Sequence, residues 1–432
     1  MQKKVLILII FLLFLAKNVN VFCQNDSICT VLLNSKQFFL LENFLKQNKK
    51  SISPHKYYLN QMFVQQAFGN YKQAERYAEK LKKINNKKNL TDSIKQRINL
   101  SLLSFYALDA MQKFDYSKVA ENYGKILENF SQDIDSAQIV DYQNNFALFS
   151  ALKNTPPQKI HRLTQNIELQ SFKNQFNHLL VPVLKGNIEN KFVFDTGSSF
   201  AIISDSIAKL MNLTTLPVDV NVLTYTNLQI QPQLAVADSF YIGAILFQNI
   251  VFLVVPQSVL TFPMANYSIY GIIGFPQIVQ MQEIRFQKDG KIIIPKKPKR
   301  QSEKNMLLDG YNPVIQIFTE NDTLLFRFDS GAQTSELSYK YFEKHKENIL
   351  QNTEKEQLMR GGAAGIEETE VYVLKNFNFR IGKAQGTLSE ISVIAENHDF
   401  LQLFDGNLGQ DILQQYEEVI LNFKDFYLKL KK

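Results

Sequence analysis

Two rhythms of apolar and polar positions divide the chain. Through residues 30–155 apolar side chains return every third or fourth position, as in Tyr71, Ala74, Tyr77, Ala78 and Leu81. That spacing predicts one buried face on a succession of helices. A third helix is expected over Ile139 to Leu152, ending before Asn154-Thr155-Pro156-Pro157. Beyond the two prolines the texture changes to short apolar runs between turn residues: Leu179–Leu184, Lys191–Phe194, Ala201–Ser204, Ile250–Val255 and Lys291–Ile294. Short strands at this pitch predict a mainly-β region. The basic stretch Pro295-Lys296-Lys297-Pro298-Lys299-Arg300 interrupts it and reads as a solvated linker. The expected fold class is therefore multidomain, an all-α N-terminal domain over 24–160 followed by two β units over 172–298 and 308–432.

Within the helical region one local pattern occurs twice. Ala67-Phe68-Gly69-Asn70-Tyr71 turns into a helix, and Met111-Gln112-Lys113-Phe114-Asp115-Tyr116 does so again, with Tyr71 and Tyr116 45 residues apart. This resembles tetratricopeptide repeats, in which paired helices lock through a small residue, a turn and an aromatic, although the spacing exceeds the usual repeat of about 34 residues. The resemblance implies a docking surface for a protein partner. A plain helical spacer fits the same pattern.

The first 23 residues change the expected location. Lys3-Lys4 precedes Val5–Ala16, an unbroken apolar run of 12 residues, short for a membrane span of about 20 and suited to a signal peptide. Val21-Phe22-Cys23 offers cleavage after Cys23, giving a secreted or periplasmic protein without an integral membrane domain. A lipid anchor on Cys23 is the alternative, made awkward by bulky Phe22. The formal charge of +7 falls to +4 without these residues, which hold three lysines and no acid. So mild a charge, with no nucleic-acid motif, argues against nucleic acid as partner. Cys23 and Cys29 supply no disulfide framework, and the five histidines lack metal-ligand spacing, so no metal or other cofactor is expected.

The specific signal is a duplication. Phe192-Val193-Phe194-Asp195-Thr196-Gly197-Ser198-Ser199 follows one apolar strand, and Phe326-Arg327-Phe328-Asp329-Ser330-Gly331-Ala332 follows another, 134 residues later. Gly271-Ile272-Ile273-Gly274 lies 76 residues after Asp195, and Gly406-Asn407-Leu408-Gly409 lies 77 after Asp329. A further strand closes each unit, at Glu283–Phe286 and Val419–Phe423. This arrangement resembles the pepsin–retropepsin group of aspartic peptidases over roughly residues 175–432, nearer the bacterial retropepsin-like proteins than pepsin. The resemblance implies a hydrolase, an endopeptidase whose catalytic carboxylates are Asp195 and Asp329, acting on a peptide or protein substrate. Two carboxylates this close cannot both ionise, so one serves as base and one as acid. Which is which stays open.

The resemblance also implies supporting roles. Thr196 and Ser330 would bond across to the opposite unit's backbone, while Gly197 and Gly331 permit tight turns and close approach. Ser199 would hydrogen-bond Asp195, with Gln333 at the matching position of the second unit. Gly274 and Gly409 would underlie the two active-site loops. Substrate-covering flaps are expected at Gly361-Gly362-Ala363-Ala364-Gly365 and, in the first unit, over Leu223–Gln231 with Tyr225 at the tip.

Two positions depart from the pattern. Arg327 shares a strand side with Asp329, where its charge would favour the ionised carboxylate; the expectation is that it points along the strand edge into solvent. Asn407 replaces an apolar residue and is expected to loosen the second unit's support. Two other functions compete with the peptidase: an inactive peptidase fold that binds peptides, with the helices as docking module, and a glycosidase using paired acids. Retention of both aspartates argues against the first, and the doubled Asp-Thr/Ser-Gly against the second.

Overall fold

The computed structural model describes residues 22–87, 90–161, 163–223, 229–263, 266–362, 365–397 and 403–432. The apolar run Val5–Ala16 and most of the expected signal peptide lie outside them. Seven helices come first: α1 (22–34), α2 (Phe38–Asn48), α3 (Pro54–Ala67), α4 (Tyr71–Asn85), α5 (Asp92–Gln112), α6 (Tyr116–Phe130) and α7 (Ser136–Ala151). The starts of α5, α6 and α7 are set by capping side chains. Thr91 accepts from the Ile94 amide, Asp115 from the Lys118 amide, and Asp135 with Gln138 forms a reciprocal capping box. The two similar sequence turns have one geometry: Gly69 (φ 68°) joins α3 to α4, and Phe114 (φ 56°) joins α5 to α6. Phe114 pays the left-handed strain because its ring is buried in the helical core.

The β region forms three principal sheets. One is built on the first unit's strands and holds Ile188–Phe194, Gly271–Ile273, Ala201–Ser204 and Ile250–Val255 side by side. A second holds Thr323–Phe328, Gly406–Leu408 and Glu336–Leu337 in the corresponding order. In each unit the strand before the aspartate runs parallel to the strand of the glycine motif: Val193 pairs with Ile272, and Arg327 with Asn407. The third sheet has five strands and joins the units. Its centre is the antiparallel pairing of the two closing strands, Glu283 with Asn422 through Gln287 with Glu418. Asn422 donates to the buried Glu283 carboxylate at 2.6 Å, and Arg285 pairs with that carboxylate at the same distance.

The basic stretch 295–300 is tethered rather than free. The Lys296 amide donates to Asn166, the Lys299 amide to Glu283, and Arg300 pairs with Asp425. Lys296, Lys297, Lys299 and Arg300 are exposed, as expected of a solvated linker, while side chains of both units reach its backbone amides.

The helices are packed onto both β units. Residues of α5, α6 and α7, among them Val119, Ile126 and Phe149, share one apolar cluster with Leu234, Val251 and Leu253 of the first unit. Residues of α2 and α3 share another with Leu307, Val314 and Leu325 of the second. Tyr311, fully enclosed between them, donates its hydroxyl to the Met111 carbonyl at 2.9 Å, and Gln112 donates to the Gly310 carbonyl at 3.0 Å. Among the described residues no helix is long and apolar enough to cross a membrane.

Shared cores make the helices and sheets one cooperative unit. Phe149→Ala should destabilise the whole chain by about 3–5 kcal/mol. Urea unfolding followed by far-UV circular dichroism and by tyrosine fluorescence should give coincident transitions shifted together. Helix loss well before the tyrosine transition would contradict this.

Candidate active site

The two Asp-Thr/Ser-Gly turns meet where the β units join. Thr196 donates its hydroxyl to the Phe328 carbonyl at 2.9 Å, and Ser330 donates its hydroxyl to the Phe194 carbonyl at 2.8 Å. Each hydroxyl also accepts from the opposite amide: Thr196 N–H to Ser330 Oγ at 3.0 Å, Ser330 N–H to Thr196 Oγ1 at 2.9 Å. Four bonds thus close a reciprocal ring between segments more than 130 residues apart, and both side chains are wholly buried. The hydroxyls of Thr196 and Ser330 serve this ring: apolar residues at both positions would leave two carbonyls and two amides without these partners.

The ring brings the two carboxylates together at the junction of the units. Each lies against the other unit's turn. A Cβ on Gly197 would fall 2.5 Å from Asp329 Cγ, and one on Gly331 would fall 2.6 Å from Asp195 Cγ. Glycine is required at both positions by that approach rather than by φ. The backbone beneath is also matched: Asp195 N–H donates to the Ile273 carbonyl and Asp329 N–H to the Leu408 carbonyl, at 3.0 and 2.9 Å. Gly274 and Gly409 sit directly under the loops, where a Cβ would strike the Phe200 carbonyl and the Thr334 backbone.

Around this symmetric frame the two aspartates have different surroundings. Asp195 accepts the Gly197 amide at 2.7 Å. Asp329 accepts the Gly331 amide at 2.9 Å, the Ala332 amide at 3.2 Å and Asn407 Nδ2 at 3.4 Å. Burial, then the neighbouring Asp329 charge, pushes the Asp195 carboxyl well above the ordinary carboxylate range. Ser199 makes no hydrogen bond to Asp195 among the described residues; the adjacent Ser198 hydroxyl goes instead to the Phe200 carbonyl at 2.7 Å. Gln333 donates its side-chain amide to the Phe176 carbonyl, tying the second loop to the first unit.

Both departures from the sequence pattern turn inward. Arg327 is 2% exposed and donates to the Gly197 carbonyl at 3.2 Å, so it does not run along a strand edge into solvent. The strand pairing that buries its neighbours Phe326 and Phe328 in the main core leaves the alternate side to face the dyad. Asn407, rather than loosening the loop, donates to Asp329. Glu336 joins them. It pairs across the sheet with Asn407, which pairs in turn with Arg327, so the three side chains form one row. Burial and the Asp329 charge hold the Glu336 carboxyl at about 8, against the lowering pull of Arg327.

Sequence reasoning passed over Glu336, which carries no motif, and three further contributors. His178 is largely enclosed on the first unit near Asp329, and burial lowers its imidazole. Its ring packs with Phe176 and Tyr267. Ser335 and Asp411 clamp the second loop: Asp411 accepts the Ser335 amide and hydroxyl, both at 2.7 Å, while Ser335 Oγ accepts the Gly409 amide. A seven-residue step from each aspartate would have paired Ile202 with Glu336 and exposed the odd carboxylate.

A cleft of about 870 Å³ opens beside the first unit's site strand, lined in part by Leu180, Val193, Tyr267 and Gly271. Of the flap candidates, Gly361, Gly362 and Gly365 lie at the end of a long antiparallel hairpin, Lys355–Gly362 with Gly365–Ile381, where Gly362 pairs with Gly365. Tyr225 lies outside the described residues, between the paired strands Val222–Leu223 and Gln229–Ile230. Among the described residues no cluster of His, Cys, Asp and Glu is suited to a metal. Cys23 and Cys29 are both free.

Comparison with known families adds one match. The sequence model of a family described as aspartyl protease matches residues 181–276, the stretch that holds Asp195, Thr196, Gly197 and Gly274. That part of the chain is an aspartic-protease-like domain, and Asp329 lies outside it. No curated protein matches the chain.

Glu336 carries a pH-dependent stability. Its folded value near 8 lies above the ordinary 4.5, so the folded state binds a proton that the unfolded state has lost. Stability from this group is fully present below about pH 4.5 and drains away as pH rises through 8, by on the order of a few kcal/mol. Thermal unfolding between pH 4.5 and 8 should show this slope, and Glu336→Gln should flatten it. An unchanged slope in that variant would place the titration elsewhere.

Proposed function

We propose that the chain is an aspartic endopeptidase in which Asp195 and Asp329 act as one dyad on a water molecule. The carrying observation is the pair itself, two carboxylates each set against the other unit's turn and held there by reciprocal threonine and serine bonds. The match to the aspartyl protease family over 181–276 supports the same chemistry. Like charges this close share one proton, leaving one carboxylate to draw a proton from water as it attacks the peptide carbonyl and one carboxylic acid to polarise that carbonyl and later protonate the amide nitrogen. The proton released by water returns to the dyad, so no net proton is consumed. The cleft beside Val193 and the glycine-tipped hairpin suit an extended peptide substrate. We place the protein outside the cytoplasm on the strength of its N-terminal sequence, with the helical module as a further surface for a protein partner.

Cleavage of an unfolded protein by residues 24–432 between pH 3 and 7 tests the proposal. Asp195→Asn and Asp329→Asn should each lower kcat/KM by at least about 10²–10⁴-fold with the fold intact, and a statine-type inhibitor should block the parent. Equal cleavage by parent and either variant would refute the dyad. Thr196→Val should lower kcat and also unfold more readily, since it leaves the Phe328 carbonyl and the Ser330 amide unpaired at a cost of about 1–3 kcal/mol each.

A further inference from the structure

The duplicated unit supplies its own control for the row beside Asp329. In the first unit the same three sheet positions are Val193, Ile272 and Ile202, paired in the same register. They close an ordinary apolar cluster with Val255, Leu260 and Ile269. The fold therefore needs nothing polar here. In the second unit the positions are Arg327, Asn407 and Glu336, exposed by only 2%, 2% and 8%. Burying a guanidinium and a carboxyl is unfavourable compared with an aliphatic row of similar volume, so stability does not explain the substitution. The row lies against the dyad: Asn407 donates to Asp329, and Arg327 donates to the carbonyl of Gly197, the turn residue of the opposite loop.

Resting on the dyad proposed above, we infer that the Arg327–Asn407–Glu336 row makes the two carboxylates unequal, holding Asp329 as the anion that takes the proton from water and leaving the shared proton on Asp195. The hydrogen bonds favour this order. Asp329 receives three N–H donors and Asp195 one, and donors to a carboxylate stabilise its ionised form. Charge acts in the same direction. Arg327 acts on Asp329, Asp195, Glu336 and Asp309, and Asp329 acts in turn on Glu336 and His178. Burial, against the pull of the Asp329 charge, makes His178 less readily protonated than an ordinary histidine. Burial and the Asp329 charge raise the Glu336 carboxyl to about 8, against the pull of Arg327. Arg327 and Asn407 are positioning residues in this scheme; the reacting groups remain the two aspartates.

The test isolates each carboxyl in the full chain labelled with carboxyl ¹³C aspartate. In Asp195→Asn the remaining Asp329 should titrate lower than Asp195 does in Asp329→Asn, by at least about one pH unit. Adding Arg327→Met should raise the Asp329 midpoint by about one unit or more and move Asp195 less. Should that variant fail to fold, transplanting the first unit's row (Arg327→Val, Asn407→Ile, Glu336→Ile) keeps a packed sheet and should have the same effect; Asn407→Leu should give a smaller rise. An Asp195 that titrates at or below Asp329, or an Asp329 midpoint indifferent to the loss of Arg327, overturns the inference. Failure of the parent chain to cleave any substrate would sink the peptidase reading while leaving the titration order to stand or fall on its own.

Discussion

Two carboxylates forced together where the β units join repel, and the structure is arranged around supporting that repulsion. Burial and the neighbouring Asp329 charge push the Asp195 carboxyl well above the ordinary range. The reciprocal bonds of Thr196 and Ser330 keep the loops from separating to relieve the strain. The joining sheet fixes the loops' supports from below, through the paired closing strands. Each layer is unremarkable by itself. Together they convert a destabilising contact into a fixed, chemically useful one, because the loops have no alternative set of partners for their buried amides and carbonyls.

The helical region is better described as a brace than as an appendage. α5–α7 share a core with the first β unit and α2–α3 share one with the second. Phe149 of α7 packs near Phe200, five residues past Asp195, and Phe200 in turn meets Tyr311 of the second unit. A chain of aromatic contacts therefore runs from the helices to the loop that bears Asp195 and across to the other unit. A spacer between envelope and β units would need none of these contacts.

Much of this was legible in the sequence because it rests on local rules. Period-three-and-four spacing marked the helices, and the strands Ala201–Ser204, Ile250–Val255 and Lys291–Ile294 fall where short apolar runs placed them. The doubled Asp-Thr/Ser-Gly and its glycine partner were visible as offsets of nearly equal length. What could not be read was lateral: which residues of different strands share a row. Arg327 appeared to be a solvent-facing charge because a single strand shows only its own alternation. Its environment is set by Asn407 and Glu336, 80 and 9 residues away, and only the sheet register brings them together. Ser199 failed for the converse reason. A motif position suggested a bond, but the local turn gives that role to the Gly197 amide and sends the neighbouring Ser198 hydroxyl to Phe200.

The pairing of Glu283 with Asn422 has a consequence in time. Neither aspartate loop can be completed by nearby chain, since each draws its bonds from segments more than 130 residues away and the joining sheet closes only with strands that end at Asn422 and Lys431. Long-range pairings of this kind form late in folding, after the entropy of closing large loops has been overcome. Asp195 therefore has no partner until the second β unit is in place. The meeting of the two aspartates thus arrives with the last strands to join the sheet.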